Sequence, residues 1–265
     1  MAVIKNHRLE GAPYVASPNK GGKITPIFIV QHYTAGYSAS SAINTLTRRG
    51  SGVSAHVTVD LDGTITQHVP FNVKAWHAGP SRHMGYNGLN NYSIGIEIVN
   101  IGWLRQLGNG QYQDAYGHRR DDSDFPHGVI LAPNSRAGSG TFAWPRYTPE
   151  QLHAVDGLTE ALCNKYTIKD IVSHEEIDTR GWKTDPGPAF PMKLMKRHLT
   201  SDRGDDSELW EVTASTLRVR SGPGTRFDTI GSLSQGNEVA VIAVNGDWVQ
   251  INQDGWVHGG YLRRV

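Results

Sequence analysis

The spacing of apolar and polar positions divides the chain into a mixed helix-and-strand region and a shorter region of strands alone. The run Ile27-Phe28-Ile29-Val30 is continuous, apolar and β-branched, as in a strand buried on both faces, and it delivers Gln31-His32-Tyr33-Thr34 to its end. Residues 38–49 place Ala39, Ala42, Ile43 and Leu46 at helical spacing behind serines able to cap. Alternating runs at 56–60 and 64–69 flank Leu61-Asp62-Gly63, which predicts a hairpin, and 93–99 predicts a further strand. Thr148-Pro149-Glu150-Gln151 joins an N-cap, a proline at the first helical position and a capping-box glutamine, opening a helix to about Lys165. A last short strand is expected at 168–172. Helices interleaved with strands predict an α/β domain, a mixed central sheet flanked by helices.

Residues from about 103 to 147 are polar, Gly-rich and without clear period. That is too long for an ordinary connection and predicts a lid or substrate-binding insertion. Residues 201–208 carry no apolar side chain, follow an expected helix end at His198-Leu199, and read as a linker. Beyond them, Leu217-Arg218-Val219-Arg220-Ser221-Gly222-Pro223-Gly224 and short runs at 239–244, 248–251 and 255–257 are separated by Gly, Asn and Asp turns, predicting a small all-β barrel. The expected organisation is therefore a domain at 1–200 and a module at 209–265.

Composition narrows the class without naming a function. With 265 residues, 38% apolar and 19% charged, the chain can bury a core in each region, and a net charge of +1 gives no field suited to nucleic acid or an anionic membrane. The single Cys163 cannot form an intramolecular disulfide and falls in the helical series Leu152, Val155, Leu158, Leu162, so it is expected in the core. The first eleven residues lack the apolar stretch of a Sec signal peptide, and no run reaches the ~18 residues needed to span a bilayer. A chain made in the cytoplasm without membrane insertion is the expectation.

Zinc takes neutral imidazole and carboxylate, and catalytic sites keep one coordination position open. His32 follows a buried strand, His174 follows the strand expected at 168–172, and Asp185 is held in Asp185-Pro186-Gly187-Pro188, whose prolines restrict the backbone. Two imidazoles and a carboxylate delivered in this way could hold zinc, although no local motif such as His-Glu-x-x-His joins them. A carboxylate at Glu97, between Ile96 and Ile98, also calls for a charged partner.

The blocks 29–36 (Ile-Val-Gln-His-Tyr-Thr-Ala-Gly), Ser54-Ala55-His56, Asp62-Gly63-Thr64-Ile65, Ala75-Trp76-His77-Ala78-Gly79, 93–97, Ser173-His174 and 183–188, taken in order, resemble the type 2 N-acetylmuramoyl-L-alanine amidases. That superfamily includes peptidoglycan recognition proteins and phage amidases. The resemblance implies zinc held by His32, His174 and Asp185, Glu97 as general base and Lys183 as oxyanion stabiliser. Tyr33, His56, Trp76 and His77 are candidate substrate contacts. Some members carry a catalytic tyrosine where this chain has Ala55, which shifts the burden to Glu97 and makes the chain look more like the anhydro-muropeptide and cell-wall amidases.

The last segment resembles a bacterial SH3 domain through 217–224, Asp247-Trp248-Val249, Gly255-Trp256-Val257 and Tyr261-Leu262. Such modules commonly bind cell-wall peptide, while Trp248 and Trp256 could equally fill a small core. The resemblances imply peptidoglycan or muropeptides as partners and a phage or cell-wall lytic enzyme that reaches the wall after release. Two alternatives are a cytoplasmic amidase recycling soluble anhydro-muropeptides and a non-catalytic peptidoglycan-binding protein.

Overall fold

A computed structural model describes residues 2–199, 209–241, 243–251 and 255–264. The chain forms two compact units, Met1–Met195 and Lys196–Val265. The linker expected at 201–208 lies outside the described residues.

In the first unit the buried run becomes β1 (Phe28–Tyr33), followed by α1 (Ala39–Thr47), whose N-cap Ser38 accepts a hydrogen bond from Ser41 N–H. The hairpin strands are β2 (Val57–Val59) and β3 (Ile65–Gln67), and β4 spans Ser93–Ile98. A second sheet, β5 (Leu104–Gly108), β6 (Gln111–Asp114), β7 (Arg119–Asp121), β8 (Val129–Pro133) and β9 (Thr141–Pro145), fills the region that lacked a period. α2 (Pro149–Lys165), β10 (Asp170–Ser173) and the single turn α3 (His174–Ile177) follow.

The central sheet has strand order β10-β1-β4-β2-β3, with the first four strands parallel and β3 antiparallel to β2. It is mixed, as the sequence predicts. Phe28, Val30, Ala78, Leu89, Val172 and Ile177 pack into one buried cluster beside it. The reciprocal capping box at Thr148 and Gln151 forms as read from sequence, stabilising the start of α2 by about 1 kcal/mol. Cys163 lies buried on that helix.

The insertion is an antiparallel sheet of order β7-β6-β5-β9-β8, closed over its own core of Ile101, Leu104, Tyr112, Phe125 and Ala143. The expected insertion is thus a folded layer. Its strands expose most of one face and turn at glycines, which leaves too few consecutive apolar positions to show a period.

The second unit comprises β11 (Leu209–Val212), β12 (Thr216–Arg220), β13 (Thr229–Ser234), β14 (Glu238–Ala240), β15 (Ala243–Asn245), β16 (Trp248–Gln250), β17 (Trp256–His258) and β18 (Leu262–Arg264). They form two antiparallel sheets, β14-β11-β18 and β13-β12-β17-β16-β15. Val212, Leu217, Val219, Val249, Val257 and Leu262 fill the core. Trp248 and Trp256 stay half-buried, so aliphatic side chains rather than the indoles do the packing. Among the described residues no helix is long and apolar enough to cross a membrane.

Candidate functional site

Three neighbouring parallel strands carry the site at their C-terminal ends, where open α/β sheets place ligands. In the register of β4 on β1, Glu97 is directly opposite His32, so both side chains leave the same face. On the other side Ser173 pairs with Gln31, which puts His174 beside His32 at the first residue of α3. Ser173 caps that turn by accepting from Glu176 N–H at 2.9 Å. The connection after α3 returns Asp185, whose carbonyl accepts from Glu175 N–H at 3.0 Å.

His32 Nδ1 lies 3.0 Å from His174 Nδ1, and each of these nitrogens lies 2.9 Å from Asp185 Oδ2. All three residues are buried. Burial and the adjacent His174 push the His32 imidazole down toward its neutral form. Asp185 is pushed up by burial, but its contacts with His174 and then His32 outweigh this and hold it well below the usual carboxylate range. Neutral imidazoles and an ionised carboxylate are the protonation states that metal ligands require.

The donor set fits zinc. Tetrahedral bonds of about 2.0–2.1 Å separate ligand atoms by about 3.3 Å, so the triangle would open by only a few tenths of an ångström. His32, His174 and Asp185 therefore form a group that could hold a metal ion.

The triad faces a groove of about 530 Å³ whose lining includes Glu97, Lys183, Tyr33, Trp76 and His77. Burial, then the charge of Asp185, push the Glu97 carboxyl up to about 8, with Lys183 acting in the opposite direction. Tyr33 binds the Thr184 hydroxyl, anchoring the residue next to Asp185. Tyr147 O–H donates to the Pro186 carbonyl at 2.7 Å on the other side of the same ligand. Gly187 is required here: its φ is +77°, and a Cβ would stand 2.7 Å from the Trp144 ring.

His56, expected to contact substrate, is instead a core residue. Its Nε2–H donates to the Val73 carbonyl at 2.9 Å and its Nδ1 accepts from Gly95 N–H at 3.0 Å, leaving no ring nitrogen for a ligand. Burial pushes it down to about 4. The preference for a polar residue before a strand is the same whether the ring faces water or backbone, so sequence does not separate the two cases.

Sequence reading also missed the support of the Lys183 loop. Buried Asp178 accepts from Arg180 Nε at 2.9 Å, Trp182 N–H at 3.1 Å and Lys183 N–H at 3.4 Å. From the insertion, Arg136 donates to the Lys183 carbonyl at 3.3 Å, and Tyr116 joins the groove lining with the exposed Trp182. The insertion thus builds part of a wall. Nothing local marks Asp178, which resembles any surface acid until the loop closes on it.

Burial pushes Asp178 up, but the hydrogen bonds from Arg180, Trp182 and Lys183 outweigh it and hold the carboxyl at about 2. Its folded value lies below the 3.8 of a free carboxyl, so the stabilisation is complete above about pH 4 and is lost as pH falls through 2. Asp178→Asn should lower stability by about 2 kcal/mol near neutral pH. Denaturant melts of variant and parent should converge toward pH 2; a gap independent of pH would exclude the charge as its source.

Residues 22–188 match the family described as N-acetylmuramoyl-L-alanine amidase. The chain belongs to this family. Residues 215–263 of the second unit match the bacterial SH3 domain. The amidase domain is similar to 1,6-anhydro-N-acetylmuramyl-L-alanine amidase AmpD of Escherichia coli strain K12, 32% identical over 140 residues, which is 52% of this chain and 54% of AmpD. N-acetylmuramoyl-L-alanine amidase AmiD of the same strain is 31% identical over 176 residues, 63% of this chain and 51% of AmiD. The chain spans about half the length of the curated relatives it matches. A crystal structure of a selenomethionine AmpD derivative has a TM-score of 0.53 at 24% identity, covering 75% of this chain and 99% of that one, so the two share a fold.

Proposed function

We propose that the amidase domain is a zinc hydrolase that cleaves the amide between N-acetylmuramic acid and L-alanine. The observation that carries this reading is the convergence of His32 Nδ1, His174 Nδ1 and Asp185 Oδ2 at the base of a groove, with Glu97 in register beside them. Family membership supplies the bond, and the relatives named as amidases of muramyl-L-alanine support it.

His32, His174 and Asp185 would hold the ion. When bound, zinc supplies Lewis acidity, polarising a carbonyl and acidifying water near neutral pH. Glu97, which the positive charge of a bound ion would return to its carboxylate form, takes a proton from the attacking water and passes it to the alanine nitrogen as the C–N bond breaks, ending as it began. The products are a lactyl carboxylate and a free amine. Lys183, which lines the groove, would use its ammonium to stabilise the negative charge that develops on the carbonyl oxygen. Tyr33, Trp76 and Tyr116 bound the space in which the muramyl peptide lies.

The SH3-family module favours intact wall as substrate, since tethering raises local concentration at a polymer and offers little for a small soluble molecule. Its edge-packed Trp248 and His258, 5.6 Å apart, and the adjoining exposed Tyr261 offer an aromatic face for wall peptide. On this reading the chain is an endolysin, made in the cytoplasm and acting after release. The second reading, recycling of soluble anhydro-muropeptides, is favoured by the name of the AmpD relative.

Mass spectrometry of digested sacculi tests the proposal. New muramic acid carboxyl ends and alanine amino ends should appear, disappear with a chelator and return with added zinc. Cleavage elsewhere, or cleavage indifferent to chelation, would refute it. Parallel digestion of soluble anhydro-muropeptides separates the two substrates.

A further inference from the structure

His32 and His174 present equivalent atoms to the triad, yet their second ring nitrogens meet different surroundings. His174 Nε2 is buried and has no hydrogen-bond partner among the described residues. His32 Nε2 lies 3.0 Å from His77 Nδ1, the start of a chain of contacts leading into the core.

We propose that His77, Ser93 and the Leu89 carbonyl form a relay that fixes His32 as its Nε2–H tautomer and so holds its Nδ1 lone pair toward His174 and Asp185. A carbonyl can only accept, and Ser93 O–H donates to the Leu89 carbonyl at 2.7 Å, a normal length for such a bond. With its hydrogen committed, Ser93 Oγ can only accept from His77 Nε2, 3.2 Å away. A neutral imidazole carries one N–H, so His77 Nδ1 accepts and His32 Nε2 donates. The reverse order would draw the serine hydrogen away from its shorter contact and leave a hydrogen on His32 Nδ1 where a metal must bind.

The ring of His77 is seated for this task. A Cβ at Gly95 would stand 2.4 Å from His77 Cγ, so the ring lies against bare β4 backbone at that residue. Asn90 Oδ1 accepts from the backbone N–H groups of both His77 and Ala78, at 2.9 and 2.7 Å, fixing the segment that carries it. His77 is thus a positioning residue: it acts through His32, and this assignment rests on His32 being a metal ligand.

Long-range 1H–15N correlation spectra of the metal-free full chain read the tautomer directly. His32 should carry its proton on Nε2; a proton on Nδ1 overturns the relay. Ser93→Ala, which leaves the ring in place, should give a mixed tautomer, and an unchanged spectrum counts against the relay. In chelator competition, His77→Leu should bind zinc about 10–100-fold more weakly. His77→Asn, whose side-chain oxygen can replace Nδ1 as acceptor, should recover most of that loss. Equal affinity in the His77→Leu variant, or no recovery with asparagine, overturns the proposal. If the parent chain binds no zinc, the hydrolase reading fails, while the tautomer measurement still decides the relay.

Discussion

Replacing Glu97 by glutamine is expected to lower turnover by about 10²–10⁴-fold while leaving bound zinc in place. The expectation follows from register: Glu97 stands across from His32 without joining the donor triangle. Glutamine preserves volume and the neutral state that the metal-free chain favours up to about pH 8, so folding should be undisturbed. What disappears is a group able to accept a proton from water and release it to nitrogen. Metal content measured beside initial rates checks both halves. Normal turnover in the Glu97→Gln variant would remove this residue from the reaction.

Asp185→Ala should fail in the other way, losing metal and activity together. The substitution takes away one of three donor atoms and leaves two imidazole rings with their Nδ1 atoms 3.0 Å apart. Its affinity loss should exceed the roughly 10–100-fold cost of removing a supporting residue. Competition against a chromogenic chelator measures it, and full occupancy would show that Asp185 is no ligand. The two variants together separate holding an ion from using it.

Sequence disclosed the parts of this molecule in which local chemistry and tertiary structure agree. Phe28 to Val30 and Ile94, Ile96 and Ile98 are buried on a parallel sheet, so the first survives in the sequence as a continuous apolar run and the second as a row of isoleucines. The capping box at Thr148 and Gln151 is a contact between residues three apart and is legible for that reason. The triad is a contact across 142 and 153 residues, and its members looked ordinary until family resemblance joined them. His56 and His77 shared one expectation, yet His56 is tied to backbone at both nitrogens while His77 touches a ligand. Distinguishing them needs to know which strand lies above which ring. The insertion escaped because its sheet covers a small core of its own, and Asp178 because its partners arrive two, four and five residues later in a turn without period.

The placement of His32 and Glu97 on adjacent parallel strands, with His174 one residue past the end of a third, makes the backbone ladder a ruler for the chemistry. Neighbouring strands sit about 4.8 Å apart whatever their side chains, so spacing across this row is inherited from peptide hydrogen bonds. Length changes in the connecting loops leave such a scale intact. A single inserted residue within β1 would turn His32 to the opposite face of the sheet and erase the middle mark.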